Sequence, residues 1–284
     1  MSRRARQPFS NHGTSSVTVR PSCAHSVGGP QSAQRKRGRP FAAGALVATL
    51  AFCAMAVSAA EPTATPAPTS CPQPFKVTFD VEWHGMAAGT STLQLTRDSA
   101  TEYTYRSSNV ARGFFRLAIP DTITQISRIS VVDGKVRPSS YLGDDGSADT
   151  DRDVSLTFDW AANRVTGTAE DKPVSQPLTP GVQDSLSVQV ALMCALAAGQ
   201  SPKSFQLIDK DEVKEYQYTH EGHATLDTPA GKLETLIYTS QRKGASRLTR
   251  LWIAPSLGYL PVRAEQVNKG KRELQLQLKS VERG

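Results

Sequence analysis

The sequence predicts a mainly β protein built on one large, curved antiparallel sheet, a barrel or half-barrel, with one buried helix. Apolar and polar residues alternate in several runs, as in strands with one dry and one solvated face. Turn-forming residues separate these runs at short intervals, which is typical of hairpins. Only one segment, 180–202, combines helical apolar spacing with capping residues at both ends.

The first 60 residues predict a secretory signal peptide. The basic cluster RKRGRP precedes an uncharged stretch rich in small residues, FAAGALVATLAFCAMAVSAA, which is the order of segments in such a peptide. Cleavage after Ala59 or Ala60 satisfies the small-residue rule. An uncleaved membrane anchor is the alternative, and both hypotheses place the remainder outside the cytoplasm.

The leader also accounts for the positive charge of the chain. The formal net charge is +7, from 33 basic and 26 acidic residues. Eight of the basic residues and no acidic one lie in the first 60 positions, so the body carries 25 basic residues against 26 acidic ones. A nearly neutral body predicts no nucleic-acid partner, and membrane contact is expected only through an uncleaved leader.

Residues 61–74 predict a flexible segment rich in Pro, Thr and Ala, and residues 75–284 a single β-rich domain.

Beyond the leader, the sequence contains two cysteines, Cys71 and Cys194. An even cysteine count in an exported chain predicts a disulfide between them. The alternative leaves Cys194 as a small, buried thiol on an apolar helix.

The clearest strand is FKVTFDVEWH, where one face carries Phe75, Val77, Phe79, Val81 and Trp83. The runs DVSLTFDW and ELQLQLKSV repeat this alternation. Turns are predicted at HGMAAG, RDSA, Asp133-Gly134, AANR, Glu221-Gly222, TPAG and NKG. The alternating runs together predict about eleven to thirteen strands.

The helix is predicted in PGVQDSLSVQVALMCALAAGQSP, with Asp184 as N-cap and Gly199 as C-terminal stop. Apolar residues occupy almost every side of it, which predicts that it is buried. A shorter run, ARGFFRLAI, predicts a turn of helix whose Phe114 and Phe115 cover the sheet.

The sequence RLTRLWIAPSLGYLPVRAEQV predicts a hairpin with Pro255 and Gly258 in its turn. Pro261 cannot donate a ladder hydrogen bond, so an edge strand or a bulge is predicted there. Ser256 is the one potential nucleophile in the loop, so we interpret the hairpin as structural rather than reactive.

The width of the predicted sheet compared with the size of the predicted helix bears on function. An open sheet of about eleven to thirteen strands is roughly 50 to 60 Å wide at about 4.8 Å per strand. A helix of about 14 residues covers only about 21 Å by 10 Å. The sheet must therefore close into a barrel filled by its own side chains, or leave an apolar trough for a ligand.

No catalytic residue, metal or cofactor is predicted, since motifs for acyl transfer, phosphate binding and dinucleotide binding do not occur. The sequence THEGH places His220 and His223 beside a predicted turn, where exposed histidines are expected rather than a metal site. The sequence GDDGSADTDRD places Asp149, Asp151 and Asp153 on a predicted strand face, and a solvated acidic loop is expected rather than a calcium site.

Four motifs resemble, in order, the exported bacterial family called domain of unknown function 3108: VVDGKVRPSSY, TPGVQDSLSVQVAL, LDTPAGKLETLIY and RLTRLWIAPSLGYLPVRAEQV. The resemblance covers residues 75–281 and implies a β-rich periplasmic protein without an established activity. The last motif is also similar to half-barrel periplasmic lipoprotein carriers, which implies an apolar concavity for acyl chains.

The predicted function is to bind a lipid or another acyl-bearing, hydrophobic ligand in the curved sheet of a periplasmic, non-enzymatic monomer. The predicted ligand-binding residues are Phe75, Val77, Phe79, Val81, Trp83 and Trp252, with Phe114 and Phe115 as a lid. Two alternatives remain open: a hydrolase of envelope polymers, and an assembly factor that docks envelope proteins through strand edges.

Overall fold

The computed structural model describes residues 71–119, 121–147 and 149–283. The predicted signal peptide, its cleavage at Ala59 or Ala60 and positions 61–70 of the predicted flexible segment lie outside the described residues. The described chain forms strands β1 (Phe75–Trp83), β2 (Met86–Arg97), β3 (Glu102–Ala111), β4 (Ile123–Val132), β5 (Lys135–Asp144), β6 (Val154–Asp159), β7 (Arg164–Ala169), β8 (Lys172–Pro177), β9 (Ser204–Asp209), β10 (Glu212–Thr228), β11 (Gly231–Arg242), β12 (Arg247–Ala254), β13 (Leu260–Asn268) and β14 (Lys271–Arg283). It also forms one α-helix, α1 (Ser187–Ala197), and two short 3-10 helices, Gly113–Leu117 and Pro255–Leu257.

The strands form one antiparallel sheet of 14 strands in the described part of the chain, which confirms the predicted fold class. The order is β8-β7-β6-β5-β4-β3-β2-β1-β14-β13-β12-β11-β10-β9, so the first strand pairs with the last. The sequence undercounts the strands because β7 and β8, RVTGTA and KPVSQP, contain Gly and Pro and alternate weakly.

The sheet curls until its two edges meet without closing into a barrel. Strands β8 and β9 are the edges and do not pair with each other. Instead, the segment after β8 bonds to β9: Gln183 N–H donates to the Gln206 carbonyl at 2.8 Å, and Ile208 N–H donates to the Gln183 carbonyl at 2.9 Å. An ion pair between Lys210 and Glu170, at 2.6 Å, joins the turns next to the two edges.

Helix α1 is buried against the concave face of the sheet, as predicted. The Asp184 carboxylate accepts hydrogen bonds from the N–H groups of Leu186 and Ser187, both at 2.8 Å, and from the Ser127 hydroxyl at 2.6 Å. These contacts are those of an N-cap, although Asp184 lies three residues before Ser187, the first residue of α1. At the other end, Gly199 has a φ of +70°, which terminates the helix as predicted.

The disulfide predicted between Cys71 and Cys194 is present, with a Cα–Cα distance of 5.3 Å. Cys71 lies four residues before β1, and Cys194 lies in the C-terminal half of α1. The bond therefore fixes the helix at one end of the sheet, here called the helix end. The opposite end, which includes the turns after β1, β11 and β13, is called the open end.

Most predicted turns are confirmed, and several are of the primed type. At His84-Gly85, Asp133-Gly134 and Lys269-Gly270 both residues have positive φ, as type I′ hairpins require. The turn predicted at Glu221-Gly222 is wrong, because β10 runs unbroken through these residues with a β-bulge at that point. Glycine with positive φ suits a bulge as well as a turn, so the dipeptide alone does not distinguish them.

Pro261 lies at a bulge rather than on an edge strand. The register between β12 and β13 shifts so that Trp252 opposes Arg263 while Ile253 opposes Pro261. Because β13 pairs with β12 on one side and β14 on the other, it is an interior strand. At the bulge no ladder hydrogen bond from a backbone N–H is needed at Pro261. Of the two predicted locations, the bulge is therefore the one that is confirmed.

Replacing Cys71 and Cys194 together by alanine is expected to lower the free energy of unfolding by about 2 to 5 kcal/mol, because the bond closes a long loop. Urea denaturation of the double variant, with reduced wild-type protein as the matched control, measures the effect. Equal stability of the oxidised wild type, the reduced wild type and the variant would show that the disulfide does not stabilise the helix end.

The substitution Asp184→Ala is expected to lower the free energy of unfolding by about 2 to 4 kcal/mol. It removes the cap and leaves the Ser127 hydroxyl and two backbone N–H groups buried without an acceptor. Asp184→Asn keeps one acceptor oxygen for the backbone N–H groups and is expected to lower the free energy of unfolding by less than Asp184→Ala does. Denaturant unfolding of both variants tests this order, and an alanine variant as stable as wild type would contradict it.

Candidate functional site

An apolar cavity of about 510 Å³ opens at the open end of the sheet. Its walls come from the five neighbouring strands β4, β3, β2, β1 and β14 and from the connection between β3 and β4. The lining residues are Val81, Trp83, Ala88, Gly89, Thr90, Asn109, Val110, Ala111, Phe115, Ile119, Ile123, Leu274 and Leu276. Aliphatic and aromatic side chains dominate this set, and its polar members, Thr90 and Asn109, do not titrate in the physiological range.

Strand pairing explains why these side chains converge. Val81 of β1 lies opposite Leu276 of β14, and Trp83 lies opposite Leu274. Residues directly opposite in an antiparallel pair share one face of the sheet. Gly89 of β2 opposes Val81 on the other side, and only glycine fits there, because a Cβ at position 89 would clash with the carbonyl of Val110 on β3.

Burial changes along β1 because α1 covers only the helix end. Phe79 is 2% exposed, whereas Trp83, four residues further on the same face, is 38% exposed. Val81, Leu274 and Leu276 are half-buried. The concave face is thus covered by α1 at the helix end and bears an uncovered apolar surface at the open end.

The strap, defined as residues 112–119 between β3 and β4, forms one wall of the cavity. Phe115 lines the cavity, and Phe114 stacks on it with ring centroids 4.1 Å apart. Phe114 is 62% exposed and Leu117 is 89% exposed, an unusual degree of exposure for large apolar side chains. Arg112 and Arg116 flank these residues in the sequence.

The structure places the predicted ligand-binding residues in three different surroundings. Val81, Trp83 and Phe115 line the apolar cavity, and Phe114 lies outside it against Phe115. Phe75, Val77 and Phe79 are in the core at the helix end and do not line this cavity. Trp252 is buried, with the Arg263 guanidinium 4.7 Å above its ring, and is not among the cavity residues.

Sequence reasoning missed the contributions of β14 and of the strap. Leu274 and Leu276 belong to the alternating run ELQLQLKSV, whose apolar face was recognisable. The pairing of this run, as β14, with β1 was not recognisable, because it joins the first strand of the domain to the last. Ile119, in the connection before β4, and Ile123, the first residue of β4, carry no periodic signal of their own.

A second, polar cavity of about 690 Å³ adjoins the apolar one at the open end. It is lined by Asp209, Tyr216, Ser240, Arg242, Gly244, Ala245, Ser246, Arg247, Thr249, Gln266 and Asn268. The Tyr216 hydroxyl donates to the Asp209 carboxylate at 3.1 Å, and burial together with this carboxylate raises the pKa of Tyr216.

The two cavities meet at one strand pair. Leu274 on the wall of the apolar cavity lies opposite Gln266 on the wall of the polar cavity. Neighbouring strands are about 4.8 Å apart, so the change from apolar to polar surface occurs within one strand spacing. The inner face of the open end is therefore amphipathic.

His220 and His223 lie together on the inner face, although not at a turn. The bulge in β10 places His220 opposite Tyr238 and His223 opposite Leu236. The imidazole centroids are 5.1 Å apart, and His220 stacks on the Tyr238 ring at 5.0 Å. Both histidines are exposed, as predicted, but through a bulge in a strand.

The acidic sequence after β5 forms an irregular loop, so its predicted placement on a strand face is wrong. Carboxylate oxygens of Asp144, Asp145 and Asp153 lie within 4.8 Å of one another. Asp145 accepts hydrogen bonds from Ser147 and pairs with Arg152 at 3.2 Å. The hydrogen bonds from Ser147 lower the pKa of Asp145.

None of the helices in the described ranges has the length and hydropathy needed to cross a bilayer. The predicted alternative of an uncleaved anchor concerns the first 60 residues, which are outside those ranges.

The chain belongs to the family described as protein of unknown function (DUF3108), whose model matches residues 78–277. A crystal structure of a β-barrel-like protein of the domain of unknown function DUF1849 from Brucella abortus is similar in fold. The two have 11% sequence identity and a TM-score of 0.51, over 75% of this chain and 99% of that one. At this identity the likeness concerns the fold alone.

Two further solved structures are similar at lower scores. The MucA/MucB complex of Pseudomonas aeruginosa has 15% identity and a TM-score of 0.33, over 75% of this chain and 52% of that one. A protein from Bacteroides fragilis with a YmcC-like fold has 14% identity and a TM-score of 0.35, over 75% of this chain and 97% of that one. No curated protein matches the chain significantly.

Proposed function

We propose that this DUF3108 protein binds an acyl-bearing or otherwise hydrophobic ligand in the apolar cavity at the open end. The uncovered apolar face formed by Val81, Trp83, Leu274 and Leu276 carries the proposal. Its cavity of about 510 Å³ falls within the size range of small-molecule sites, roughly 300 to 1,000 Å³. Binding, rather than catalysis, suits a wall without titratable groups.

The hydrophobic effect sets the expected affinity. Transfer of about twelve methylene groups from water to the cavity would contribute roughly 10 kcal/mol, at about 0.8 kcal/mol each. Association costs at least about 4 kcal/mol in lost translational and rotational freedom. The remainder, roughly 6 kcal/mol, corresponds to a dissociation constant on the order of tens of micromolar.

Exposed apolar side chains around the mouth of the cavity support entry of the ligand there. These residues are Trp83, Met86, Val110, Phe114 and Leu117. They come from β1, β2, β3 and the strap, all at the open end. A group of exposed large apolar side chains at one end of a sheet is typical of a site of interaction.

The predicted leader and the disulfide together support a periplasmic location. Disulfides persist in oxidising compartments such as the bacterial periplasm and are rare in the cytosol. The bond between Cys71 and Cys194 thus supports export of the domain. Detection of the oxidised protein in a periplasmic fraction would test this part of the proposal.

Neither alternative has a comparable observation in its favour. A hydrolase needs titratable groups that converge on its substrate cleft, and the apolar cavity is not lined by any. An assembly factor acting through free strand edges needs an accessible edge, whereas Gln183 occupies part of the β9 edge and Gln176 bonds to the Asp211 carbonyl at 2.7 Å.

The neutral fluorescent probe N-phenyl-1-naphthylamine is expected to bind the wild-type protein saturably at one site. The double variant Leu274→Gln with Leu276→Gln is expected to bind it about tenfold more weakly, because two apolar wall contacts are lost. The matched control is Val132→Gln with Leu142→Gln, two exposed apolar residues outside the cavity. Absence of saturable binding to wild type, or equal loss in both variants, would refute the proposal.

The two adjacent phenylalanines of the strap provide a second test. Phe115→Ser is expected to weaken probe binding by about fivefold to tenfold, since its ring forms part of the wall. Phe114→Ser is expected to change the affinity by less than about twofold, because its ring lies outside and is mostly exposed. Fluorescence titration of both variants measures the two affinities. A larger loss for Phe114→Ser than for Phe115→Ser would contradict the assigned positions of the two rings.

A further inference from the structure

Two neighbouring turns at the open end carry a cluster of cations, here called the basic rim. The turn between β11 and β12 and the turn between β13 and β14 supply its members: Arg242, Lys243, Arg247, Lys269, Lys271 and Arg272. The turns are in contact, because Lys269 N–H donates to the Ser246 carbonyl at 3.2 Å. All six cationic residues are exposed.

The basic rim has an excess of positive charge. Arg247 pairs with Glu273 at 3.0 Å, and Arg272 pairs with Glu265 at 3.3 Å. The other four members form no ion pair with any residue of the described ranges: Arg242, Lys243, Lys269 and Lys271. Since the body of the chain is nearly neutral, this excess is local to one side of the open end.

The basic rim lies at the polar cavity rather than at a distance from it. Arg242 and Arg247 are among the lining residues of that cavity, together with Gln266. Gln266 in turn lies opposite Leu274 of the apolar cavity. The inner face therefore changes from apolar to polar between β14 and β13, and the basic rim borders the polar wall at the turns that join β11 to β12 and β13 to β14.

The acidic groups near the polar cavity are already engaged. Asp209 accepts from Tyr216 at 3.1 Å and from Lys214 at 3.3 Å. Glu273 accepts from Asn268 and pairs with Arg247, and these contacts lower its pKa. Because Asp209 and Glu273 already have partners, the unpaired cations of the basic rim remain available to bind an anion.

We propose that the ligand is an anionic amphiphile: its acyl chain occupies the apolar cavity, and its phosphate or carboxylate head lies in the polar cavity beneath the basic rim. This inference rests on the proposed function and adds the class and orientation of the ligand. In the strand order, the acidic loop after β5, with Asp144 and Asp145, lies on the opposite side of β1 from the basic rim, so an anionic head on that side would be repelled.

Displacement of N-phenyl-1-naphthylamine by two detergents with the same dodecyl chain tests the inference. Dodecyl phosphate is anionic and dodecyl maltoside is neutral, and both are used below their micelle concentrations. Wild-type protein is expected to bind the phosphate on the order of tenfold more tightly at low ionic strength, from the attraction of several Lys and Arg side chains. The preference is expected to fall as salt is added, because exposed charges are screened.

A triple substitution removes the basic rim without touching its ion pairs: Arg242→Gln, Lys243→Gln and Lys271→Gln. The matched control removes three exposed lysines at the helix end by Lys135→Gln, Lys203→Gln and Lys232→Gln. The rim variant is expected to retain less than about a twofold preference for dodecyl phosphate, while the control keeps the wild-type preference. Affinity for dodecyl maltoside is expected to be the same in all three proteins.

The outcomes separate this inference from the proposed function. Equal affinity of wild type for the two detergents would overturn the anionic head and leave hydrophobic binding intact. Failure of the naphthylamine probe to bind at all would refute the proposed function itself. Displacement of dodecyl phosphate by inorganic phosphate at equal concentration would show an anion site that does not need the acyl chain, which also overturns the inference.

Discussion

The concave face of the sheet is larger than one helix can cover, and the other features of the structure depend on this mismatch. Fourteen strands at about 4.8 Å span roughly 67 Å, whereas the 11 residues of α1 extend about 16 Å. The sheet reduces its exposed apolar surface by curling until β8 and β9 approach each other. The disulfide and the Asp184 cap then fix the helix at one end, so the uncovered surface is concentrated at the other.

A single strand shows how this arrangement produces both a core and a site. The alternation of β1 is uniform in sequence, yet Phe79 lies in the closed core and Trp83 on the wall of a cavity. The difference comes from the position of α1 and not from the strand itself. At the open end, the neighbouring strands then supply polar residues and finally cations, which gives the same face a direction from apolar to charged.

The sequence was sufficient for the fold class, the helix with its caps, the disulfide and most turns, because these depend on local periodicity or on a forced pairing of two cysteines. The sequence did not suffice to predict which residues line the apolar cavity. Whether Phe75 or Trp83 is accessible depends on a helix more than a hundred residues away in the chain. The pairing of Leu276 with Val81 joins the two ends of the domain, and no local pattern encodes it. Glu221-Gly222 fits a turn as well as the β-bulge that the structure shows, because both use the same residues.

The most direct test of the central claim is native mass spectrometry of the intact protein, purified without detergent after export to a bacterial periplasm. If the uncovered half of the concave face is a ligand site, each chain should carry the added mass of one acyl-bearing molecule, which organic extraction removes. Repeated preparations that show only the mass of the bare chain, with its disulfide formed, would contradict the account.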